Sequence, residues 1–196
     1  MSTAATALTP NDLLRMGSAG KGYELVNGEL KEVEVSTESS FVAGEIHHRL
    51  KLYAAAQQAG GWAFPEGTGY CCFPDDESRV RKPDTSYISR SRLTPEQYRA
   101  GAWLTIAPDL AVEVVSPNDT AGGLEDKRIE WLDAGVREVW IVHPTRRTIH
   151  VYRAGGPPAV FNPDDTLTSP DILPGFSVTV SNLFLAPGDP VPPPVH

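Results

Sequence analysis

Glu113 interrupts the apolar run Leu110-Ala111-Val112-Glu113-Val114-Val115. A carboxylate buried in such a strand needs a partner or a metal. Its neighbours in the strand alternation, Ala111 and Val115, are apolar, so Glu113 is expected to face a covered side of a sheet. An edge strand with Glu113 in water, or a buried ion pair, are the alternatives. Asp84 follows Pro83 in Arg-Lys-Pro-Asp-Thr-Ser-Tyr-Ile; it reads as a turn or strand-end residue, or as a second carboxylate for a hard divalent cation held by oxygen ligands. Lys127 falls among Leu124, Trp131 and Ala134, which span about 80° of helical arc. Either its stem snorkels outward, or its ammonium serves a carboxylate site near the start of that helix. Together these residues point to phosphodiester hydrolysis. Two acids would hold Mg²⁺ or Mn²⁺, and a lysine would stabilise the charge that develops on the phosphate.

The elements that must position these residues follow from pattern and punctuation. Thr9-Pro10-Asn11-Asp12 opens a short helix ending near Gly17 or Gly20, with Thr9 as N-cap and Pro10 at the first helical position. Asn27-Gly28 between Tyr-Glu-Leu-Val and Glu-Leu-Lys-Glu-Val predicts a hairpin over Tyr23 to Val35. Val42, Ile46, Leu50, Tyr53 and Ala54 repeat at helical spacing after Ser39 or Ser40 as cap, up to Gly60-Gly61. Strands are predicted at Trp62–Phe73 (broken by glycines), Val80–Ile88, Leu110–Val115, Val139–Val142 and Thr148–Tyr152, with helix over Thr120–Ala134. Residues 89 to 108 read as a polar connection with a short helix after Thr94-Pro95-Glu96. This order implies an α/β or α+β fold: a central mixed sheet flanked by helices, with an N-terminal β-hairpin.

The chain of 196 residues fits one domain. Residues 1–9 are expected to be disordered, 10–187 to form the domain, and 188–196 to be an extended proline-rich tail. No apolar run approaches the roughly 20 residues of a membrane span, and no basic-then-apolar leader is seen, so a cytoplasmic location is expected. Cys71 and Cys72 are adjacent; on a strand they point apart and do not suit a disulfide or a zinc site.

The net charge of −8 argues against non-specific nucleic-acid binding through basic surface. Part of the excess lies beyond Ala154, where Asp164, Asp165, Asp171 and Asp189 have no Lys or Arg beside them. The first 153 residues carry 21 acids against 17 bases, a balance of −4. Acids that ligate a metal would add to the excess without repelling a phosphate once loaded.

Several stretches resemble the Uma2 (DUF820) family, a branch of the PD-(D/E)XK nuclease superfamily. They are Tyr23-Glu24-Leu25-Val26-Asn27-Gly28-Glu29-Leu30, Arg81-Lys82-Pro83-Asp84, the run from Asp109 through Glu113 to Trp140, and Leu173-Pro174-Gly175-Phe176. The resemblance spans roughly residues 10 to 185. It implies a restriction-endonuclease-like fold, Asp84 and Glu113 as metal ligands, and Glu29 as an acid that helps hold the metal. The lysine usual two positions after the glutamate is Val115 here, and Lys127 takes its place. It also implies a homodimer, and it marks one departure: many members have histidine where this chain has Ala43. His47 and His48, a turn later, read as surface residues.

The function implied is a Mg²⁺- or Mn²⁺-dependent DNA endonuclease, with Arg79, Arg81, Lys82, Arg90, Arg92, Lys127 and Arg128 as basic candidates for phosphate contact. The alternative, to which the net charge and Ala43 point, is a nuclease-like fold kept as a binding or regulatory module. A hydrolase with Ser116 as nucleophile lacks the glycines of a nucleophile elbow.

Overall fold

The computed structural model describes residues 7–56, 60–101 and 103–189. The expected disorder of residues 1–6 and the tail beyond Asp189 lie outside these residues. Leu8 and Thr9, expected to be disordered, are instead tied down. Leu8 N–H donates to Gly28 O at 2.9 Å, and Thr9 caps α1 (Pro10–Arg15) through a reciprocal box with Asp12.

A turn of 3₁₀ helix leads to the hairpin β1 (Tyr23–Val26) and β2 (Glu29–Glu32), paired from Tyr23↔Glu32 to Val26↔Glu29. Asn27 and Gly28 both take positive φ, 52° and 75°, the geometry that lets a two-residue turn match strand twist. Gly28 is also required by space, because a Cβ there would sit 2.5 Å from Ala7 Cβ. The hairpin forms its own small sheet and is moored to the body by a bridge from Leu25 to Val80.

Helix α2 (Thr37–Ala56) begins earlier than the serine pattern predicts. Ser36 is the residue whose hydroxyl accepts from Ser39 N–H, at 3.1 Å. Ser39 instead turns its own hydroxyl inward, 3.0 Å from Ser116 Oγ.

Beyond it come β3 (Gly61–Pro65), β4 (Thr85–Ser89), α3 (Pro95–Arg99), β5 (Leu110–Val114), α4 (Ala121–Asp133), β6 (Glu138–His143), β7 (Thr148–Tyr152) and β8 (Ala159–Phe161). The six strands form one mixed sheet in the order β3-β4-β5-β6-β7-β8. Only β5 and β6 run parallel, and α4 makes the crossover between them. Pro83 and Asp84 precede β4, which is interior, so the proline marks a strand start rather than an edge. Three strands of the C-terminal quarter were not legible: β8, and the separate hairpin β9 (Thr166–Ser169) with β10 (Leu173–Thr179).

The sheet separates two apolar layers. On one face Val42, Ile46 and Leu50 of α2 pack with Val112, Val114, Trp140 and Val142, and the β9–β10 hairpin adds Leu167, Leu173 and Phe176. On the other, Trp131 of α4 packs with Tyr70, Phe73, Ala111, Val139 and Ile141. Strand alternation divides β5 between them: Leu110, Val112 and Val114 go to the α2 face, and Ala111 and Glu113 to the α4 face. Ala43 is buried in the α2 layer. Among the described residues no helix is long and apolar enough to cross a membrane.

Candidate active site

Glu113 is the acidic residue that β5 sends into the α4 layer, and it is 3% exposed. Both oxygens are held from α4. Trp131 Nε1 donates to Oε1 at 2.8 Å, and Lys127 Nζ donates to Oε2 at 3.3 Å. Lys127 and Trp131 are four apart and share one helix face. Trp131 is itself locked by edge-on packing with Tyr70 and by Phe73. Lys127 thus turns inward rather than snorkelling out.

Asp84 reaches the same spot from β4. The register that pairs Thr85 with Val112 brings Asp84 alongside Glu113, and Asp84 N–H continues the ladder to Val112 O at 3.1 Å. Asp84 Oδ2 accepts from Val114 N–H at 2.6 Å. Asp84 forms no ion pair among the described residues. Burial, and then the charge on Glu113, push the Asp84 carboxyl up to about 8. Burial likewise raises Glu113, against the pull of Lys127. Burial works against the Lys127 ammonium, but Glu113 and Glu24 overcome it and hold the amine above its ordinary range.

These side chains open into a cleft of about 500 Å³ between the β1–β2 hairpin and the first half of α4. Glu24 of β1 stands in its wall, 3% exposed, where the alternation of Tyr-Glu-Leu-Val turns it away from buried Leu25 and toward α4. Sequence reading assigned Glu24 no role, because a hairpin pattern does not say whether its outer face meets water or another element. Glu29 does not share this place: it sits at the hairpin tip opposite Val26, two rungs farther out than Glu24 and Lys31. Its side chain is 73% exposed and pairs with Lys31 at 3.0 Å. The structure therefore does not bring Glu29 to Asp84 and Glu113.

The basic candidates for phosphate contact are mostly committed inside the molecule. Arg79, Arg81 and Lys82 are buried. Arg81 makes a two-pronged bond to Glu130 at 2.6 and 2.9 Å and another to Glu24 at 2.8 Å. Lys82 Nζ donates to Gly20 O and Lys21 O. Arg92 pairs with Asp109 and Arg128 with Glu125; Arg90 is exposed. On the cleft rim stand Glu32, Glu34, Asp119 and Asp126.

Ala43 does not line the cleft, being in the layer across the sheet. His48 is exposed; His47, read as surface, is half-buried with Nδ1 3.3 Å from Thr85 Oγ1. Ser116 is buried against Ser39 Oγ, a hydroxyl rather than a base that would activate it. Cys71 and Cys72 are free thiols.

No three His, Cys, Asp or Glu side chains among the described residues form a ready-made metal cage. The donor set nevertheless suits a hard divalent cation. Asp84 and Glu113 bring carboxylate oxygens side by side, and Asp84 forms no ion pair among the described residues. Mg²⁺ is commonly held by one or two carboxylates with the remaining positions left to water and phosphate.

A family model described as "Uma2: Putative restriction endonuclease" matches residues 10–181. Among solved structures, the chain is similar to a protein titled a putative nuclease belonging to DUF820 from Anabaena variabilis ATCC 29413. The TM-score is 0.74 at 21% sequence identity, over 90% of this chain and 97% of that one. At that identity the likeness speaks for the fold. A comparison with curated proteins finds no match.

Proposed function

The chain belongs to the Uma2 family, and from that premise we propose that it is a Mg²⁺- or Mn²⁺-dependent nuclease that hydrolyses phosphodiester bonds of DNA. The observation that carries this reading is the meeting of Asp84, Glu113 and Lys127 in one open cleft, from three separate segments, with Asp84 in no ion pair among the described residues. Asp84 and Glu113 would hold the cation, which when bound supplies Lewis-acid polarisation of the phosphate and a more acidic water.

The protein's own contribution is preorganisation. Trp131 fixes the Glu113 carboxylate in one orientation. Lys127 keeps its proton and presents a permanent positive charge toward the cleft, where it would stabilise an anionic phosphorane-like transition state. The Val114 amide holds Asp84 in register.

Cleavage of supercoiled plasmid by purified protein, with Mg²⁺, Mn²⁺ or EDTA, tests the proposal alongside Asp84→Ala and Glu113→Ala. The expected outcome is cleavage that needs a divalent cation and both carboxylates. Cleavage that survives Glu113→Ala would overturn the assignment.

A second reading, a nuclease-like binding or regulatory module without catalysis, draws on the acidic rim of Glu32, Glu34, Asp119 and Asp126. It expects no cleavage above the variants under any metal, and no stoichiometric metal binding that depends on Asp84.

A further inference from the structure

Lys127 serves two acids at once, Glu113 at 3.3 Å and Glu24 at 3.6 Å. The two are not equivalent. Glu113 is one of the carboxylates that would take a cation, and a divalent ion on it would compete for Oε2 and repel the ammonium. Lys127 then needs another partner, or it loses the position from which it faces the phosphate.

Glu24 is built for that part and poorly placed to be a ligand itself. Its Oε1 accepts from Lys82 N–H at 2.8 Å, and its Oε2 accepts from Arg81 Nη1 at 2.8 Å. Both oxygens of Glu113 are engaged too, but its Oε2 accepts only the longer Lys127 bond at 3.3 Å, whereas each Glu24 oxygen is held at 2.8 Å and Asp84 has a single backbone donor. The arrangement also fixes distance. Arg81 grips Glu24 with one nitrogen and Glu130 with two others. Glu130 lies on α4 three residues after Lys127, nearly one helical turn. One guanidinium therefore locates both the anchor and the helix that carries the lysine.

Resting on the nuclease reading above, we infer that Glu24 is a positioning residue, an anchor that holds Lys127 in the cleft when a metal ion occupies Glu113, and not a metal ligand. Glu24 acts through Lys127 and touches neither metal nor phosphate.

The test compares Glu24→Gln, Lys127→Met, the double variant and Glu113→Gln. Mn²⁺ affinity is read by calorimetry and plasmid cleavage by kcat and KM. Gln retains an acceptor for the Lys82 amide while removing the charge that holds the ammonium. For Glu24→Gln the metal Kd is expected to stay within about twofold of wild type, while Glu113→Gln weakens it by about tenfold or more. Its kcat is expected to fall by about 10- to 100-fold with KM unchanged, as for an interaction used only in the transition state. In the Lys127→Met background, Glu24→Gln is expected to cost nothing more.

A metal Kd weakened by Glu24→Gln as much as by Glu113→Gln would make Glu24 a ligand and overturn the inference. Unchanged kcat, or a double variant as much worse as the two single losses multiplied, would overturn it too. Should Glu24→Gln fail to fold, Glu24→Asp retains the charge but shortens the reach and gives the same comparison. Failure of the nuclease reading is separately visible: there the wild type itself neither cleaves nor binds metal.

Discussion

Asp84 and Asp109 flank the same strand and have opposite fates. Both accept a short backbone hydrogen bond, Asp84 from Val114 at 2.6 Å and Asp109 from Ser89 at 2.7 Å. Asp109, fully buried before β5, also receives Arg92 at 2.8 Å, with Arg137 at 3.5 Å. Its carboxyl is held below the ordinary aspartate range: burial pushes it up, but the Ser89 amide and Arg92 pull harder. Asp84, at the other end of β5, faces Glu113 instead of an arginine, and burial together with the charge on Glu113 pushes its carboxyl up to about 8.

The glutamates of the two ends look alike by comparison. Each takes an indole N–H, Glu113 from Trp131 and Glu138 from Trp140, and each takes a cation, Lys127 or Arg153. The difference lies in the balance of charge. The Asp109 end is supplied with enough arginine to be a structural clasp, whereas at the other end Asp84 is paired with no cation among the described residues. A carboxylate kept short of charge inside a cleft marks a site for a cation or a proton, and burial alone does not.

The largest effect that would sharpen this contrast is functional. Asp84→Asn is expected to reduce metal-dependent cleavage by about 10³-fold or more while leaving thermal unfolding at pH 7 unchanged or raised, because it removes a buried carboxyl that must take up a proton on folding at that pH. If Asp84→Asn lowered the melting temperature as Asp109→Asn does, the two ends would be the same kind of clasp.

Asp109→Asn should do the reverse. It leaves Arg92 without its anionic partner and weakens a buried network, at a cost of about 2–4 kcal/mol of unfolding free energy by urea titration. Cleavage per folded molecule is expected to persist.

Next in size is a pH effect on stability in metal-free buffer. Asp84 binds its proton more tightly folded than unfolded. Its contribution is therefore fully present below the ordinary value of 3.8 and is lost as pH rises toward about 8. Wild type should lose stability over that window, and Asp84→Asn should show a flatter profile. Asp109 has the opposite sign, its contribution being present above its unfolded value and lost only as acid protonates the folded form. Identical wild-type and Asp84→Asn profiles would remove the charge deficit on which the contrast depends.

The smallest effect belongs to Glu29→Ala. Its exposed pair with Lys31 is expected to matter to neither melting nor metal affinity. A clear loss of metal binding would return Glu29 to the site.

Much of this molecule was written locally. The Asn27-Gly28 turn, the Thr9 and Thr94 caps, the helix over α4 and the buried run of β5 are short-range patterns, because turns, caps and periodicity depend on neighbours along the chain. The anomaly of Glu113, an acid in an apolar strand, and of Lys127, a cation in an apolar helical stripe, was visible for the same reason. Each departs from its own element's pattern. The C-terminal strands were harder to see, since β8 has three residues and β10 is broken by a register shift around Pro174-Gly175.

Tertiary structure decided which charges meet. Glu24 and Glu29 belong to one hairpin, where the resemblance marked Glu29 and gave Glu24 no role, and only the mooring of Leu25 to Val80 turns Glu24 toward α4 and leaves Glu29 at the tip. Arg81 and Lys82 read as phosphate contacts until burial assigned them to Glu24, Glu130 and the carbonyls of the 3₁₀ turn. Electrostatic partnership depends on distance and burial in space, and neither is contained in the spacing of residues along the chain.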